Sequence, residues 1–302
     1  MAGKILKNIV RHKYLYLLSI PGILFLIIFK YVPMYGIIIA FKDFKFSLGI
    51  MKSPWNNFAH FKELFSSPNF YNVLSNSILL SLLQLLINFP VPIILSLLLN
   101  EIGSSKFKRT SQTIMYLPHF ISWVVISGIT VNFLTTNGGI IPYLMELFGG
   151  TPKNLLGEVK WFRPIIIITS IWKDAGWGTI IYLAALSGIN PEYYDAAIID
   201  GATRLQKIIY ITLPCISSTI VILLVLQIGK LMSNGFEQIY LFQNPINLKV
   251  AEVFETYTYR VGLLNTKFSF ATAVGLFQSL VGMVLLLASN AIAKIFGKET
   301  LI

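Results

Sequence analysis

Ionisable side chains interrupt apolar stretches of this 302-residue chain at places where a charge is costly. Lys173 and Asp174 stand in the middle of one stretch, and Lys230 stands late in another. Inside a membrane such groups mark a functional site by default. A simpler alternative stays open: Lys173 and Asp174 pair with each other or with a neighbouring helix, and Lys230 extends its ammonium towards water.

The remaining reactive residues do not form a pattern typical of an enzyme or a metal site. Cys215 is the only cysteine, and the three histidines, at positions 12, 60 and 119, are far apart in the sequence. Thiolate and zinc sites need such residues in close groups. The chain also lacks a nucleotide-binding loop of the form GxxxxGK[ST]. We therefore expect no catalysis and no bound metal, and any ATP that is used must bind to another chain.

Composition indicates a membrane protein. Hydrophobic residues make up 55% of the chain and charged residues 12%, whereas about a quarter of the residues in an ordinary soluble domain are charged. The net charge of +11 could suggest nucleic acid, but the basic residues flank apolar stretches and form no long run interleaved with aromatics. The sequence predicts a lipid environment and no nucleic-acid partner.

Six stretches are long and apolar enough to cross the hydrocarbon of a bilayer. They cover about residues 14–39, 73–99, 113–134, 162–187, 214–233 and 270–293. We expect Pro21 and Pro33 to kink or shorten the first span, and Pro90 to bend the second. The fold class predicted is therefore an all-α membrane protein with six transmembrane helices, in one domain over residues 1–302.

Basic residues concentrate on one side of these spans, which by the positive-inside tendency is the cytoplasm. They are Lys4, Lys7, Arg11, Lys13, Lys106, Lys108, Arg109, Arg204, Lys207, Lys294 and Lys298. Both termini are predicted to be cytoplasmic. The segment 40–72 on the other side carries Lys42, Lys45, Lys52 and Lys62, but it is long enough for the tendency to act weakly on it.

A polar segment, residues 188–213, lies between the fourth and fifth spans on the cytoplasmic side. Asn190-Pro191-Glu192 is typical of a helix start, because Asn caps, proline suits the first turn and an acid suits the helix dipole. We expect a helix to about Asp200, a turn at Gly201, and a second amphipathic helix ending near Pro214. On periodicity alone it is equally typical of a helix lying in the lipid headgroups.

The spacing within this segment is more specific. It reads acid-Ala-Ala, three residues, Gly, nine residues, Ile, one residue, Leu-Pro. The positions are filled by Asp195, Ala196, Ala197, Gly201, Ile211, Leu213 and Pro214. This pattern resembles the EAA loop of bacterial ABC importer permeases, with Asp195 where that family usually has Glu. Residues 172–179, 234–241 and 271–276 are similar to the polysaccharide-type branch of the maltose-permease-like sugar importers.

The resemblance implies a mechanism and a set of partners. It implies the type I permease fold in a bacterial plasma membrane, with the 188–213 segment acting as a coupling helix in a cleft of an ATPase subunit. Arg204 and Lys207 then pair across the polar rim of that contact. The implied partners are a second homologous permease, two cytoplasmic ATPase subunits that hold ATP and Mg, an extracytoplasmic sugar-binding protein, and an oligosaccharide or polysaccharide fragment as substrate.

The resemblance also implies that the sugar contacts the helices before and after the coupling segment. The residues in that neighbourhood are Lys173, Asp174, Trp177, Gln227, Lys230 and Asn234. We expect Trp177 to stack on a sugar ring, the amides to bond hydroxyls, and one of the lysines to favour an anionic sugar. Gln84 and Asn88 either line the path or bond neighbouring helices.

An ion-coupled secondary sugar transporter is the main alternative, because it too places lysine and aspartate inside the membrane. The chain shows no inverted repeat, however, and such a carrier needs no coupling segment.

Overall fold

A computed structural model describes residues 11–136, 138–295 and 297. In these residues the regular structure is helical, apart from one isolated bridge between Lys42 and Trp55. The prediction of an all-helical protein is confirmed. The basic residues Lys4, Lys7 and Lys298 lie outside the described residues, as do both chain ends.

Helices of very different length follow one another along the chain. The longer ones are Lys13–Leu26, Pro68–Leu83, Pro90–Asn100, Ser105–Tyr116, Trp123–Leu134, Phe162–Ser187, Ser217–Gly229 and Phe268–Ile295. The shorter ones are Val32–Met34, Gly49–Lys52, Ala59–Ser66, Ile140–Leu147, Pro191–Ile199, Arg204–Lys207, Leu213–Cys215, Phe236–Phe242, Leu248–Ala251 and Phe254–Tyr259. Wider π turns lie at Ile27–Tyr31, Gln84–Asn88, Ile208–Thr212 and Arg260–Leu264, and 3-10 turns at Tyr35–Phe41, Leu117–Phe120, Leu155–Gly157 and Val159–Trp161.

Length and composition identify three helical runs as membrane spans, namely Lys13–Phe41, Pro68–Asn100 and Phe268–Ile295. Two further pairs qualify if each bent pair counts as one span, which gives up to five. The helix Phe162–Ser187, here called the central helix, has the bounds expected for the fourth span. Its charged and small polar residues keep it out of the set chosen by hydropathy.

The expected third and fifth spans are not straight helices. Ser105–Phe120 meets Trp123–Leu134 at 98°, and Arg204–Cys215 meets Ser217–Gly229 at 63°. At the first bend Pro118 lies in a 3-10 turn, and the Ser122 hydroxyl accepts from the Val125 amide at 3.4 Å, which starts a new helix. The bend therefore follows from a local stop signal and a local start signal that lie close together in the sequence.

Proline is accommodated inside helices by widening the preceding turn. The π turns Ile27–Tyr31, Gln84–Asn88 and Ile208–Thr212 end shortly before Pro33, Pro90 and Pro214. A proline ring lacks an N–H and clashes with the carbonyl four residues earlier, so an extra residue in that turn makes room for it. The run Lys13–Phe41 consequently continues through Pro33, and it also continues through Pro21, which lies inside the regular helix Lys13–Leu26. The sequence had led us to expect a kink or an early end at these prolines.

The chain divides into two compact units, residues 67–259 with 277–302 and residues 1–66 with 260–276. In the larger unit the core includes Phe162, Ile166, Ile239 and Phe242, from the central helix and the helix Phe236–Phe242. This packing fixes the polar face of the central helix relative to the segment around residue 234.

In the smaller unit Lys42 is 4% exposed, and its ammonium donates to the carbonyls of Ile50 and Met51 at 2.9 and 2.8 Å. It also lies 4.8 Å from the centre of the Trp55 ring. Lys42 thus acts as a structural donor in the 40–72 segment, which gives one of its four lysines a role in the fold.

Candidate functional site

A cavity of about 500 Å³ opens in the larger unit beside the central helix. Its polar and aromatic lining includes Asn88, Trp123, Asp174, Gln227, Lys230 and Asn234. These residues come from the run Pro68–Asn100, from the start of Trp123–Leu134, from the central helix, and from the end of Ser217–Gly229 with the residues that follow it. The volume is in the range of small-ligand sites, and polar groups converge on it from several helices.

Four of the six residues predicted for a substrate path line this one cavity: Asp174, Gln227, Lys230 and Asn234. Lys173 and Trp177 are not among its lining residues. Lys173 is 8% exposed and donates to the carbonyl oxygens of His119, at 2.7 Å, and Ile121. The two adjacent charged residues of the central helix therefore differ in environment: Asp174 lines the cavity, and Lys173 bonds backbone carbonyls.

The indole of Trp177 already has a stacking partner. Its ring lies parallel to the His119 imidazole, with centroids 4.6 Å apart and planes inclined by 5°, and Phe120 meets it edge-on at 5.6 Å. An aromatic face that is covered by an imidazole does not stack on a sugar at the same time. On that face of Trp177, His119 therefore occupies the place where a sugar ring was expected to stack.

Asp174 pairs with His119 instead of with Lys173. The Asp174 Oδ1 to His119 Nδ1 distance is 2.9 Å, and both side chains are partly exposed. Lys230 is exposed and has no acidic side chain within 4.0 Å in the described part of the chain. The cavity therefore presents one carboxylate with a partner and one ammonium without one.

Asn234 is held in place by three hydrogen bonds. Its backbone N–H donates to Glu255 Oε1 at 2.8 Å, and its side-chain amide donates to the Ser77 carbonyl at 3.1 Å and to Ser81 Oγ at 2.7 Å. The next residue, Gly235, has φ +87°, a conformation that glycine adopts without strain, and it precedes the helix Phe236–Phe242. The position of the Asn234 side chain is thus fixed by the fold.

Two amide oxygens at the cavity are buried and accept no hydrogen bond from any described residue: Asn88 Oδ1 and Asn234 Oδ1. The amide of Asn88 itself donates to Ser170 Oγ at 2.5 Å, so Asn88 both bonds a neighbouring helix and lines the cavity. A buried oxygen without a donor is costly. Within the described residues, both oxygens therefore lack the hydrogen-bond donor that their burial calls for.

Sequence reasoning missed Trp123, Ser170 and Tyr182 as lining residues. Trp123 had a readable signal, because it follows Ser122, which caps the helix after the bend. Ser170 and Tyr182 lie on the central helix at positions that share a face with Asp174 and Gly178, and their role depends on which helix packs against that face. The sequence does not give that information.

The 188–213 segment folds much as predicted. The helix Pro191–Ile199 starts at Asn190, whose side chain accepts from the Glu192 amide at 3.1 Å. Gly201 then turns the chain with φ +74°. The next helix, Arg204–Lys207, begins with a capping box in which Thr203 and Gln206 bond each other's backbone amides at 3.3 and 2.8 Å.

The two helices of this segment are joined by a hydrogen bond of 3.0 Å between the Tyr194 and Thr212 hydroxyls. Of the motif residues, Asp195, Ala196, Gly201, Arg204 and Pro214 are exposed, and Ala197, Lys207, Ile211 and Leu213 are partly buried. Large apolar side chains are exposed beside them: Ile199 at 86%, Tyr210 at 75% and Leu205 at 65%. An exposed apolar patch with a polar rim is typical of a surface for a partner.

The chain combines several membrane helices, a polar cavity among them, and an exposed pair of short, capped helices between the fourth and fifth expected spans. This combination is typical of a transport permease. This chain belongs to the family described as the binding-protein-dependent transport system inner membrane component, whose model matches residues 64–300.

Relatives and solved structures agree with this assignment. The chain is 48% identical over 291 residues to Protein LplB of Bacillus subtilis (strain 168), covering 96% of this chain and 92% of that protein. It is 48% identical over 296 residues to the polygalacturonan/rhamnogalacturonan transport system permease protein YteP of the same strain, covering 98% and 92%.

The fold matches that of a solved transporter. In the crystal structure of a bacterial ABC transporter involved in the import of the acidic polysaccharide alginate, one chain is 41% identical, with a TM-score of 0.90, covering 98% of this chain and 100% of that one. A second structure, of the bacterial alginate ABC transporter in complex with an alginate pentasaccharide-bound periplasmic protein, matches with a TM-score of 0.89.

The protein is therefore a multi-pass permease subunit of a binding-protein-dependent ABC importer in the plasma membrane. It works with a binding protein and with other ABC transporter subunits, and a partner ATPase handles the ATP. The ion-coupled transporter that the sequence left open is wrong, because the family couples import to a binding protein and an ATPase.

Proposed function

We propose that this permease conducts oligosaccharides or polysaccharide fragments that carry carboxylates, through the cavity beside the central helix. The observation that carries the proposal is the pair of buried, unpartnered oxygens of Asn88 and Asn234 in the same cavity as the unpaired ammonium of Lys230. Hydroxyl groups donate to the amide oxygens, and a carboxylate pairs with the ammonium. A uronic-acid sugar has both kinds of group.

Two relatives support the charge of the substrate. YteP is described as a polygalacturonan/rhamnogalacturonan permease, and the matching crystal structure is of an importer of an acidic polysaccharide. In this chain the only acidic residue that lines the described cavity, Asp174, has His119 as a partner, so Lys230 is the charge available to a substrate.

The direct test is transport by the complete importer with Lys230→Gln. Uptake of an acidic oligosaccharide is expected to fall about tenfold, the effect of losing one charge-assisted contact, while uptake of a neutral oligosaccharide of the same length changes little. Lys249→Gln is the matched control, because Lys249 is exposed on a short helix and is not a lining residue of the cavity. Equal loss on both sugars would overturn the acidic assignment.

For the architecture we propose six spans in one permease domain over residues 1–302, with the central helix as the span that hydropathy omits and with both termini in the cytoplasm. Its position between the bent pairs and its 26 residues support this, since that length suffices to cross a bilayer. The proposed assembly contains a second homologous permease, two cytoplasmic ATPase subunits that hold ATP and Mg, and an extracytoplasmic sugar-binding protein.

For coupling we propose that the segment 188–213 docks into a cleft of an ATPase subunit. The small residues Ala196, Ala197 and Gly201 allow close approach, and Asp195, Arg204 and Lys207 pair across the rim. Ile211, Leu213 and Pro214 carry the movement into the next span. The capping bonds and the Tyr194–Thr212 contact make the segment rigid enough to transmit a displacement.

Gly201→Asp tests the coupling role. The variant is expected to insert in the membrane and retain the sugar cavity, but to lose the stimulation of ATP hydrolysis by the sugar-loaded binding protein. Gly103→Ala is a suitable control, since a Cβ there meets nothing within 4 Å. Normal stimulation in the Gly201→Asp complex would contradict the proposed docking.

A further inference from the structure

Three side chains of the central helix contact the residues at the 98° bend. Lys173 reaches the carbonyls of His119 and Ile121, and Asp174 reaches the His119 ring. One turn further on, Trp177 stacks on that ring. Five successive positions of the central helix, 173–177, thus contain three residues that hold residues 119–121 from different sides.

In the described part of the chain, Lys173 has no acidic side chain within 4.0 Å that would compensate its buried charge. It is 8% exposed, and burial of an ammonium in a membrane protein is costly unless several groups compensate it. Here two carbonyl oxygens accept from it, and the face of Trp123 lies 5.5 Å from its nitrogen. An ammonium can satisfy all three at once, because it has three donors and is attracted to an aromatic face.

The carbonyls need such a donor because the helix ends there. The last carbonyl groups of a helix have no partner within it, and in a membrane no bulk water replaces that partner. A bend of 98° at Phe120–Trp123 leaves these groups facing the central helix. Lys173 supplies from a distant part of the chain the hydrogen bonds that a straight helix would have made locally.

We infer that Lys173 is a positioning residue, which holds the bend and thereby fixes Trp123 as an aromatic platform at the wall of the sugar cavity. Trp123 is the first residue of the helix after the bend and a lining residue of the cavity, so a change in the bend displaces its indole. Trp123 then supplies a sugar-stacking surface at the wall of the cavity, of which Trp177 is not a lining residue. This inference rests on the proposed function of the cavity for its effect on transport, but not for its effect on the bend.

The bend can be measured without any transport. Spin labels on cysteines at Phe107 and Phe133, which are 63% and 45% exposed on the two helices of the bent pair, report the distance across it, with Cys215→Ser removing the native thiol. In the complete importer we expect Lys173→Met to broaden or shift this distance distribution and Lys173→Arg to restore it largely. Lys230→Met is the matched control and should leave it unchanged.

Transport then tests the link to Trp123. Lys173→Met and Trp123→Leu are each expected to raise the sugar KM about tenfold, as loss of one aromatic contact would, but only Lys173→Met should alter the distance distribution. If Lys173→Met does not fold, Lys173→Gln keeps an amide donor and should give an intermediate broadening.

An unchanged distance distribution in Lys173→Met, or in Lys173→Gln if the Met variant does not fold, would overturn the inference, whatever transport does. If the distance distribution changes in Lys173→Met but the sugar KM of Trp123→Leu is unchanged, the role of Trp123 is overturned. Failure of the proposed sugar cavity would give a different result. Lys230→Gln and Asn234→Leu variants would then transport normally, while the distance across the bend would still change in Lys173→Met.

Discussion

Lys173 and Lys230 carry the same charge, but the fold assigns them to different environments. Lys173 is buried against backbone carbonyls, and Lys230 is exposed beside unpartnered amide oxygens. From the sequence both were candidates for an anionic sugar, because position within a span does not reveal which neighbours a side chain meets. The same limit applies to Trp177, whose covered face depends on a residue 58 positions earlier in the chain.

Gly201 allows a prediction at the scale of one residue. Its φ of +74° strains other residues by about 1–2 kcal/mol, least for Asn and most for β-branched residues, whereas a Cβ there meets no atom of the chain within 4 Å. We expect sugar-stimulated ATP hydrolysis to fall least in Gly201→Asn, more in Gly201→Ala and most in Gly201→Val. If activity instead falls with the size of the side chain, so that Gly201→Asn is less active than Gly201→Ala, backbone geometry is not the cause.

At the level of a single element, local signals were enough to predict the helices and the turn of the 188–213 segment. Asn190, Gly201 and Thr203 act through bonds and dihedral angles that span a few residues, so the sequence contains the whole cause. The bends were not predictable in the same way. The third span was expected to run unbroken through Pro118, and the angle of 98° depends on Lys173 and on how closely the central helix approaches the helix Ser105–Tyr116.

That approach depends on Gly176. A Cβ at this position would overlap the backbone carbonyl of Met115, so the central helix and the helix Ser105–Tyr116 are in backbone contact. We expect Gly176→Ala to lower the free energy of unfolding by about 1–3 kcal/mol, the usual cost of overpacking, seen as a lower thermal midpoint in detergent.

Gly128→Ala provides the control for this measurement. Gly128 is also helical, and a Cβ there meets nothing within 4 Å, so the same change should be neutral or stabilise by about 0.5–1 kcal/mol. Equal midpoints for the Gly176 and Gly128 variants would contradict the close helix contact.

At the scale of the whole molecule, this chain has surface that it does not cover itself. In the run Lys13–Phe41 only 6% of the apolar window is buried, against 28% in Phe268–Ile295. Lipid and partner subunits must cover such a surface, in agreement with a permease that works within an ABC assembly. The family and the all-helical fold were accessible from motif spacing and hydropathy. The cavity was accessible only from the packing of helices that are distant in sequence.

The central claim is that the cavity beside the central helix is the path of the sugar, and cysteine protection tests it most directly. In a Cys215→Ser background, a cysteine at Gln227, which is exposed and lines the cavity, is treated with a thiol reagent in the complete importer during ATP-driven transport. A cysteine at Phe107, which is not a lining residue, serves as the control. We expect the transported acidic oligosaccharide to slow labelling at position 227 but not at position 107. Equal labelling at 227 with and without the sugar would contradict it.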